Sequence, residues 1–213
     1  MTDTLRLVQY WDTGAPPAEV TALMTTWAVD PAYRYHAYSR DQAIASLAAH
    51  FPERVLRAFR KCRYPAMQAD LYRYCTLLAE GGIYVDADTG NGGGMDGLIG
   101  GCGRGCLMFR KSNVANDFMY FANSGDPLLQ RVVDLAVTNV ENEVSNNVWQ
   151  VTGPGIMTAL HANPANAPLF DGLRMLPVET VRKVVLFRWD LTYKQSEDDW
   201  RDALNSKVKS IFN

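Results

Sequence analysis

The sequence lacks the features that would assign it to an unusual class. It has no excess of basic charge: 21 Lys+Arg stand against 23 Asp+Glu in 213 residues, a formal charge of -2. General nucleic-acid binding, which rests on a strong basic surplus, is thereby excluded. No apolar run approaches the roughly 18 to 20 residues that span a bilayer, so no transmembrane segment is expected. Residues 1–10 hold neither a long apolar stretch nor a small-residue cleavage site, which argues against a secretory signal. Cysteine is scarce, with Cys62, Cys75, Cys102 and Cys106 alone; without an export signal they read as reduced thiols of a cytoplasmic protein. Histidine is scarcer, and His36, His50 and His161 are all remote in sequence from the acidic pair discussed below. No internal repeat or linker divides the chain, so residues 1–213 are expected to form one domain. What is present, 47% hydrophobic and 21% charged residues, is ordinary globular composition with apolar material for a sizeable core.

The order of patterns predicts alternating strands and helices. Leu5, Leu7, Val8 and Tyr10 mark a buried first strand that ends at Trp11 and the turn-rich Asp12-Thr13-Gly14-Ala15-Pro16-Pro17. A helical pattern over 18–27 and an aromatic strand over 33–38 follow. Asp41 then opens a helix, and residues 53–63 form another with Arg54, Arg57 and Lys61 on one side. Residues 68–80 are strongly helical and stop at Gly81-Gly82. Ile83-Tyr84-Val85 is strand-like and runs into Asp86-Ala87-Asp88. Further on, the expectations are a strand over 106–110, a helix from Pro127, a turn at Thr152-Gly153-Pro154 and a last strand over 183–189. Residues 90–105 hold nine of the sixteen glycines and show no regular pattern, so they are expected to form a mobile lid.

Helix, double glycine, short strand and two acids form an α-to-β join. Its polar end falls at the carboxyl edge of a sheet, where open α/β sheets bind ligands. Asp86 and Asp88, two apart on an extended strand end, share a face. Two close carboxylates repel, which favours a divalent cation beside them, and oxygen-only ligation suits Mn²⁺ or Mg²⁺ rather than zinc. Taken alone, the pair also fits two acids in an exposed turn. Asp70 and Arg73, three apart on a helix, share a face as a surface ion pair or as a pair offered to a ligand. Leu71, Tyr74, Cys75 and Leu78 would then be the buried stripe. Trp11 fits either a core position or a stacking platform.

The segment Ala69-Asp70-Leu71-Tyr72-Arg73-Tyr74, followed by Gly81-Gly82-Ile83-Tyr84-Val85-Asp86-Ala87-Asp88, closely resembles the sugar-binding region of the DXD-motif glycosyltransferases. That family, glycosyltransferase family 32-like, includes yeast initiation α-1,6-mannosyltransferases, bacterial capsular polysaccharide transferases and clostridial glucosylating toxins. Val8-Gln9-Tyr10-Trp11, Pro16-Pro17 and Trp27 resemble its first strand, loop and helix. Asn113, Asp126-Pro127 and Thr152-Gly153-Pro154 resemble later landmarks. The resemblance implies a GT-A type α/β fold, a Rossmann-like mixed sheet flanked by helices. It implies a metal-dependent, retaining transfer of a hexose from a nucleotide-sugar, a UDP- or GDP-hexose, to a saccharide or lipid-linked acceptor, as in polysaccharide biosynthesis. Asp88 corresponds to the acid that binds Mn²⁺ directly, and Asp86 to the acid that contacts the donor and the metal's water shell. Asp70 and Arg73 match the pair that hydrogen-bonds hydroxyls of the transferred sugar. Tyr84 stands at the family's aromatic beside the donor, and Trp11 at the aromatic that stacks on the base.

Departures and alternatives accompany this match. The family's C-terminal segment carries His, Asn or Ser before a Trp, whereas Tyr193-Lys194-Gln195-Ser196-Glu197-Asp198-Asp199-Trp200 has no histidine. An inactive nucleotide-sugar-binding domain therefore remains an alternative. Val85-Asp86-Ala87-Asp88-Thr89 also fits the signature of haloacid-dehalogenase phosphatases, with Asp86 as nucleophile and Asp198-Asp199 as a metal pair. That signature normally closes a domain's first strand, and 85 residues precede Asp86 here. Gly92-x-Gly94-x-x-Gly97 is formally a dinucleotide fingerprint, rejected because nothing helical is expected after it. Arg104 is a candidate diphosphate contact within the glycine-rich lid. The Arg54/Arg57/Lys61 face leaves room for peripheral membrane contact.

Overall fold

The computed structural model describes residues 4–195 and 210–213. The chain runs through β1 (Leu5–Tyr10), α1 (Ala18–Ala28), β2 (Tyr33–Tyr38), α2 (Arg40–His50), α3 (Glu53–Lys61), α4 (Pro65–Glu80) and β3 (Gly82–Val85). Next come β4 (Thr89–Asn91), α5 (Met95–Ile99), β5 (Gly105–Arg110), β6 (Asn113–Phe121), α6 (Pro127–Glu141), α7 (Val148–Val151) and α8 (Gly155–Ala162). The last elements are α9 (Ala167–Phe170), β7 (Leu173–Pro177), α10 (Val178–Val181) and β8 (Val185–Phe187). Six strands form one mixed sheet in the order β2-β1-β3-β6-β5-β7, and β4 pairs with β8 in a separate ribbon. β1 lies parallel to both β2 and β3, β6 is antiparallel to β3 and β5, and β7 is parallel to β5.

Apolar burial on both faces explains the near-continuous hydrophobic strands. Val8, Tyr10 and Tyr84 face one layer, built with Leu71, Leu77, Phe59 and Val132 from α4, α3 and α6. Leu7, Ile83 and Val85 face the other, with Trp27 of α1 and Met95 of α5. Helix starts follow their caps. Ser39, rather than Asp41, caps α2 in a reciprocal box with Gln42. Pro65 opens α4 one turn earlier than its periodicity suggests.

The Gly81-Gly82 join sets where β3 begins. Gly81 caps α4 at φ +66, and Gly82 stands at φ +98 with the Arg6 carbonyl where a Cβ would come within 2.7 Å. Arg6 binds the Gly81 carbonyl at 3.0 Å and Glu80 at 2.9 Å, so the turn is held from β1.

Several expectations change here. Residues 90–105 contain β4 and α5, and Met95, Leu98, Ile99 and Cys102 are buried against the sheet. Glycine permits the tight turns while the apolar residues between supply a core, so the segment is packed rather than a structureless lid. A five-residue helix does stand inside Gly92-x-Gly94-x-x-Gly97, but the strand before it is β4 of the outlying ribbon, which is not a Rossmann βαβ unit. β6 and β7 had no counterpart in the sequence reading. The basic face of α3 is partly neutralised, with Arg54 on Glu141 at 2.6 Å and Lys61 on Glu143 at 2.8 Å. No helix among the described residues is long and apolar enough to cross a membrane.

Candidate active site

Trp11, Ser39 and Asp86 each follow the last residue of a parallel strand, β1, β2 and β3, so they line up along one sheet edge. Beyond that edge the β5–β6 hairpin overshoots. Its register jumps between the Leu107–Met119 and Met108–Ala115 pairs, leaving residues 116–118 of β6 bulged out. Such bulges re-aim side chains beside functional sites, and this one turns Asn116 and Asp117 toward the edge. The Asp117 carbonyl accepts the Asp86 amide at 3.1 Å, while the Asp86 carbonyl accepts Gln9 Nε2 at 3.0 Å and Thr89 Oγ1 at 2.6 Å. The backbone of the acidic turn is thus fixed on three sides. Trp27 Nε1 donates to the Thr89 carbonyl at 2.9 Å and completes its support.

Asp70 and Arg73 lie on α4 but not at the surface, being 6% and 4% exposed. Arg73 reaches Asp86 at 3.0 Å and Asp70 at 3.3 Å. It also donates to the Asn116 carbonyl at 2.5 Å, and its guanidinium sits 4.6 Å over the Tyr84 ring. Asp70 accepts from Asn116 Nδ2 at 2.8 Å and from Thr152 Oγ1 at 3.4 Å. The surface ion-pair reading of this pair is therefore overturned. α4 is buried nearly all round, and the pair is a packed polar network rather than a solvated one. Burial raises the Asp70 carboxyl above its ordinary range, against Arg73, Asn116 and Thr152, which favour the charged form. Asp86 is also raised, by burial first, with Arg73 opposing and the Asp88, Asp117 and Asp70 carboxylates adding.

Asp70, Arg73 and Asp86 share the wall of a cavity of about 390 Å³ with Arg110, Asn113, Asn116, Asp117, Trp149 and Pro154. Arg110 pairs with Asp117 at 2.7 Å, and its buried Nε has no hydrogen-bond partner among the described residues. Asp88 lies two residues past Asp86. It accepts the Tyr193 hydroxyl at 2.9 Å and pairs with the Lys194 ammonium. Trp11 is half-buried, meets the Tyr193 ring edge-on at 5.2 Å and donates to Thr13 Oγ1 at 3.1 Å. Tyr84 is fully buried in the layer formed with α4, beneath the Arg73 guanidinium. Arg104 is elsewhere: it holds Asp126, the N-cap of α6, at 2.6 Å. The expected diphosphate contact is thus a structural clamp. Cys102 and Cys106 are buried free thiols.

Sequence reasoning missed Arg110, Asn116, Asp117 and Trp149. The polar Asn116-Asp117 interrupting an aromatic, apolar stretch was the available signal. Asp198-Asp199 and the other residues of 196–200 lie outside the described residues.

Among the described residues no three His, Cys, Asp or Glu side chains gather to hold a metal by themselves. Asp86 and Asp88 supply two oxygen-bearing side chains at one turn. That donor set fits a hard cation that takes its remaining ligands from phosphate and water.

A mixed sheet with an acidic turn at its carboxyl edge and a polar cavity beside it is a GT-A type arrangement. PaToxG glycosyltransferase has the same fold, at a TM-score of 0.59 and 17% identity, over 97% of this chain and 84% of that one. In sequence, residues 16–100 match the family described as "Glycosyltransferase sugar-binding region containing DXD motif". The chain is also 31% identical over 86 residues to the initiation-specific alpha-1,6-mannosyltransferase of Schizosaccharomyces pombe, covering 37% of this chain. The match spans 22% of the length of that relative.

Proposed function

We propose that the chain is a glycosyltransferase that moves a hexose from a UDP- or GDP-linked donor to a hydroxyl of a saccharide or lipid-linked acceptor. The observation that carries the reading is the placement of Asp86 and Asp88 at the end of central strand β3, beside a cavity walled by Asp70 and Arg73. A hexose is rich in hydroxyls, and this wall offers both carboxylate acceptors and guanidinium donors. Arg73 fixes the positions of Asp70 and Asp86, so the acceptor geometry is set before a ligand arrives. Arg110, paired with Asp117, adds a second guanidinium to the wall. Trp11 is proposed to cover the base.

Asp88, with Asp86 beside it, would hold Mn²⁺ or Mg²⁺. Such an ion, when bound, neutralises charge developing on the departing diphosphate without proton transfer. The protein's own part is to orient the sugar and to keep the acids in register. The phosphatase reading needs Asp86 as a free nucleophile, whereas its carboxylate is tied to Arg73. The test is incubation with a panel of UDP- and GDP-hexoses plus Mn²⁺, with released nucleoside diphosphate measured, and a generic phosphate ester run alongside. Diphosphate release with one donor is the expected result. Ester hydrolysis without donor turnover would favour the phosphatase, and donor binding without turnover would leave a binding domain.

A further inference from the structure

One tryptophan of the cavity wall is seated against bare backbone. Trp149, in the first turn of α7, lines the cavity with Arg110, Asn113 and Pro154. A Cβ on Gly155 would come within 2.5 Å of its Cε3 and 2.7 Å of its Cζ3, and one on Gly153 within 2.8 Å of its Cα. Only glycine lets the chain approach the indole this closely. The turn is held as well: the Trp149 amide donates to Asn147 Oδ1 at 3.0 Å, and Asn139 Nδ2 donates to the Val151 carbonyl at 3.2 Å. On the same wall, Arg110 is held by the Asp117 carboxylate at 2.7 Å and by the Trp189 ring, whose centre lies 4.8 Å from the guanidinium carbon. The wall changes along its length. Asp70 and Arg73 are buried, whereas Asn113 is exposed and Arg110, Trp149 and Pro154 are half-buried. Asp70 therefore marks the deep end and Trp149 the mouth.

We propose that the mouth of this cavity is the acceptor subsite, where the Trp149 ring receives the apolar face of a pyranose and the Arg110–Asp117 pair its hydroxyls. The inference rests on reading this site as a nucleotide-sugar site. A transferred hexose at Asp70 and Arg73 fills the deep end, and its departing diphosphate lies toward Asp88, which does not line the cavity. The acceptor hydroxyl then reaches the anomeric carbon through the open end, past Trp149. Its oxygen bonds to that carbon as the bond to the diphosphate oxygen breaks, and its proton leaves with the diphosphate. A pyranose carries C–H groups on its faces and hydroxyls at its rim. An aromatic ring beside a charged, hydrogen-bonding pair matches both. The glycine seat and the Asn147 cap fix the ring beforehand, so little order is lost on binding. A bare lipid chain needs a continuous apolar wall, which Arg110, Asn113 and Asp117 interrupt.

Saturation-transfer NMR reads this contact without turnover. Methyl glycosides of mannose, glucose and galactose are titrated against the unaltered protein, Trp149→Leu and Trp149→Phe. At least one is expected to bind, with saturation concentrated on the C–H groups of a single ring face. Trp149→Leu should weaken that pyranoside about fivefold, whereas Trp149→Phe, which keeps an aromatic face on the same seat, should stay within about twofold. Thermal melting of both variants keeps loss of fold apart from loss of contact. Octyl glycosides of the same sugars identify the source of the pyranose. Saturation confined to the ring indicates a free saccharide end, and saturation running along the octyl chain a lipid-linked one. Binding of no pyranoside overturns the proposal, as does undiminished affinity in Trp149→Leu. Affinity that falls in Asp70→Asn but not in Trp149→Leu places the contact at the deep end and overturns it too. Donor turnover without pyranoside contact strikes the acceptor subsite alone, whereas pyranoside contact without donor turnover strikes the transferase reading itself.

Discussion

Arg73 joins both halves of the site, because one guanidinium neutralises Asp70 on its own helix and Asp86 on the adjoining turn. Asp88 lies outside this network, so its removal separates ligand binding from folding. Asp88→Asn keeps the shape and loses the charge. It should abolish Mn²⁺-dependent turnover while the variant still folds, because the amide keeps a hydrogen bond to the Tyr193 hydroxyl. Metal titration and thermal melting of the variant check both, and retained Mn²⁺-dependent activity would sink the assignment. Asp70 should behave differently, being buried and doubly hydrogen-bonded. Asp70→Ala is expected to cost about 3 kcal/mol by stranding Asn116 and part of Arg73. The nearly isosteric Asp70→Asn should fold and bind bare nucleoside diphosphate normally, yet bind the intact nucleotide-sugar roughly tenfold more weakly. Equal weakening of both ligands would make Asp70 purely structural.

Among the elements, β3 is the one whose position matters most, and two glycines decide it. At Gly82 a Cβ meets the Arg6 carbonyl at 2.7 Å with φ at +98, whereas Gly93 at φ +81 faces open space. Gly82→Ala therefore combines backbone strain with a clash, and should destabilise by about 3 kcal/mol. Gly93→Ala carries strain alone, about 1 kcal/mol. Chemical denaturation of the two variants measures the difference, and equal losses would show that close packing at the join contributes nothing. The bounds of α1, the stop of α4 and the place of β3 were legible because Pro, Gly and apolar period are local signals. β6 was not. Its bulge at 116–118 breaks the alternation, and only the pairing with β3 and β5 holds an irregular segment in the sheet.

For the whole molecule, the glycine-rich stretch is the clearest case of context overriding composition. Met95, Leu98, Ile99 and Cys102 pack on the sheet, and β8, about ninety residues further on, supplies the strand that β4 pairs with. Hydrogen exchange should find the Gly92, Cys102 and Gly105 amides protected in the free protein, since each has a carbonyl partner at 2.7 to 2.8 Å. Fast exchange there that slows only with donor and Mn²⁺ would restore the lid.

The sequence alone determined the alternating α/β order, the double-glycine join, the two acids at a strand end and the Asp70–Arg73 spacing. Each is a pattern confined to a few neighbouring residues, with its cause in local geometry. The tertiary structure alone decided that this pair is buried, that Tyr84 lies beneath Arg73 and that Arg104 serves the cap of α6. It also decided that Arg110, Asn116 and Lys194 come to the acids across separations of 24, 30 and 106 residues from Asp86 or Asp88. Such meetings depend on how the hairpin and the C-terminal segment pack over the sheet edge, and no local period encodes that packing.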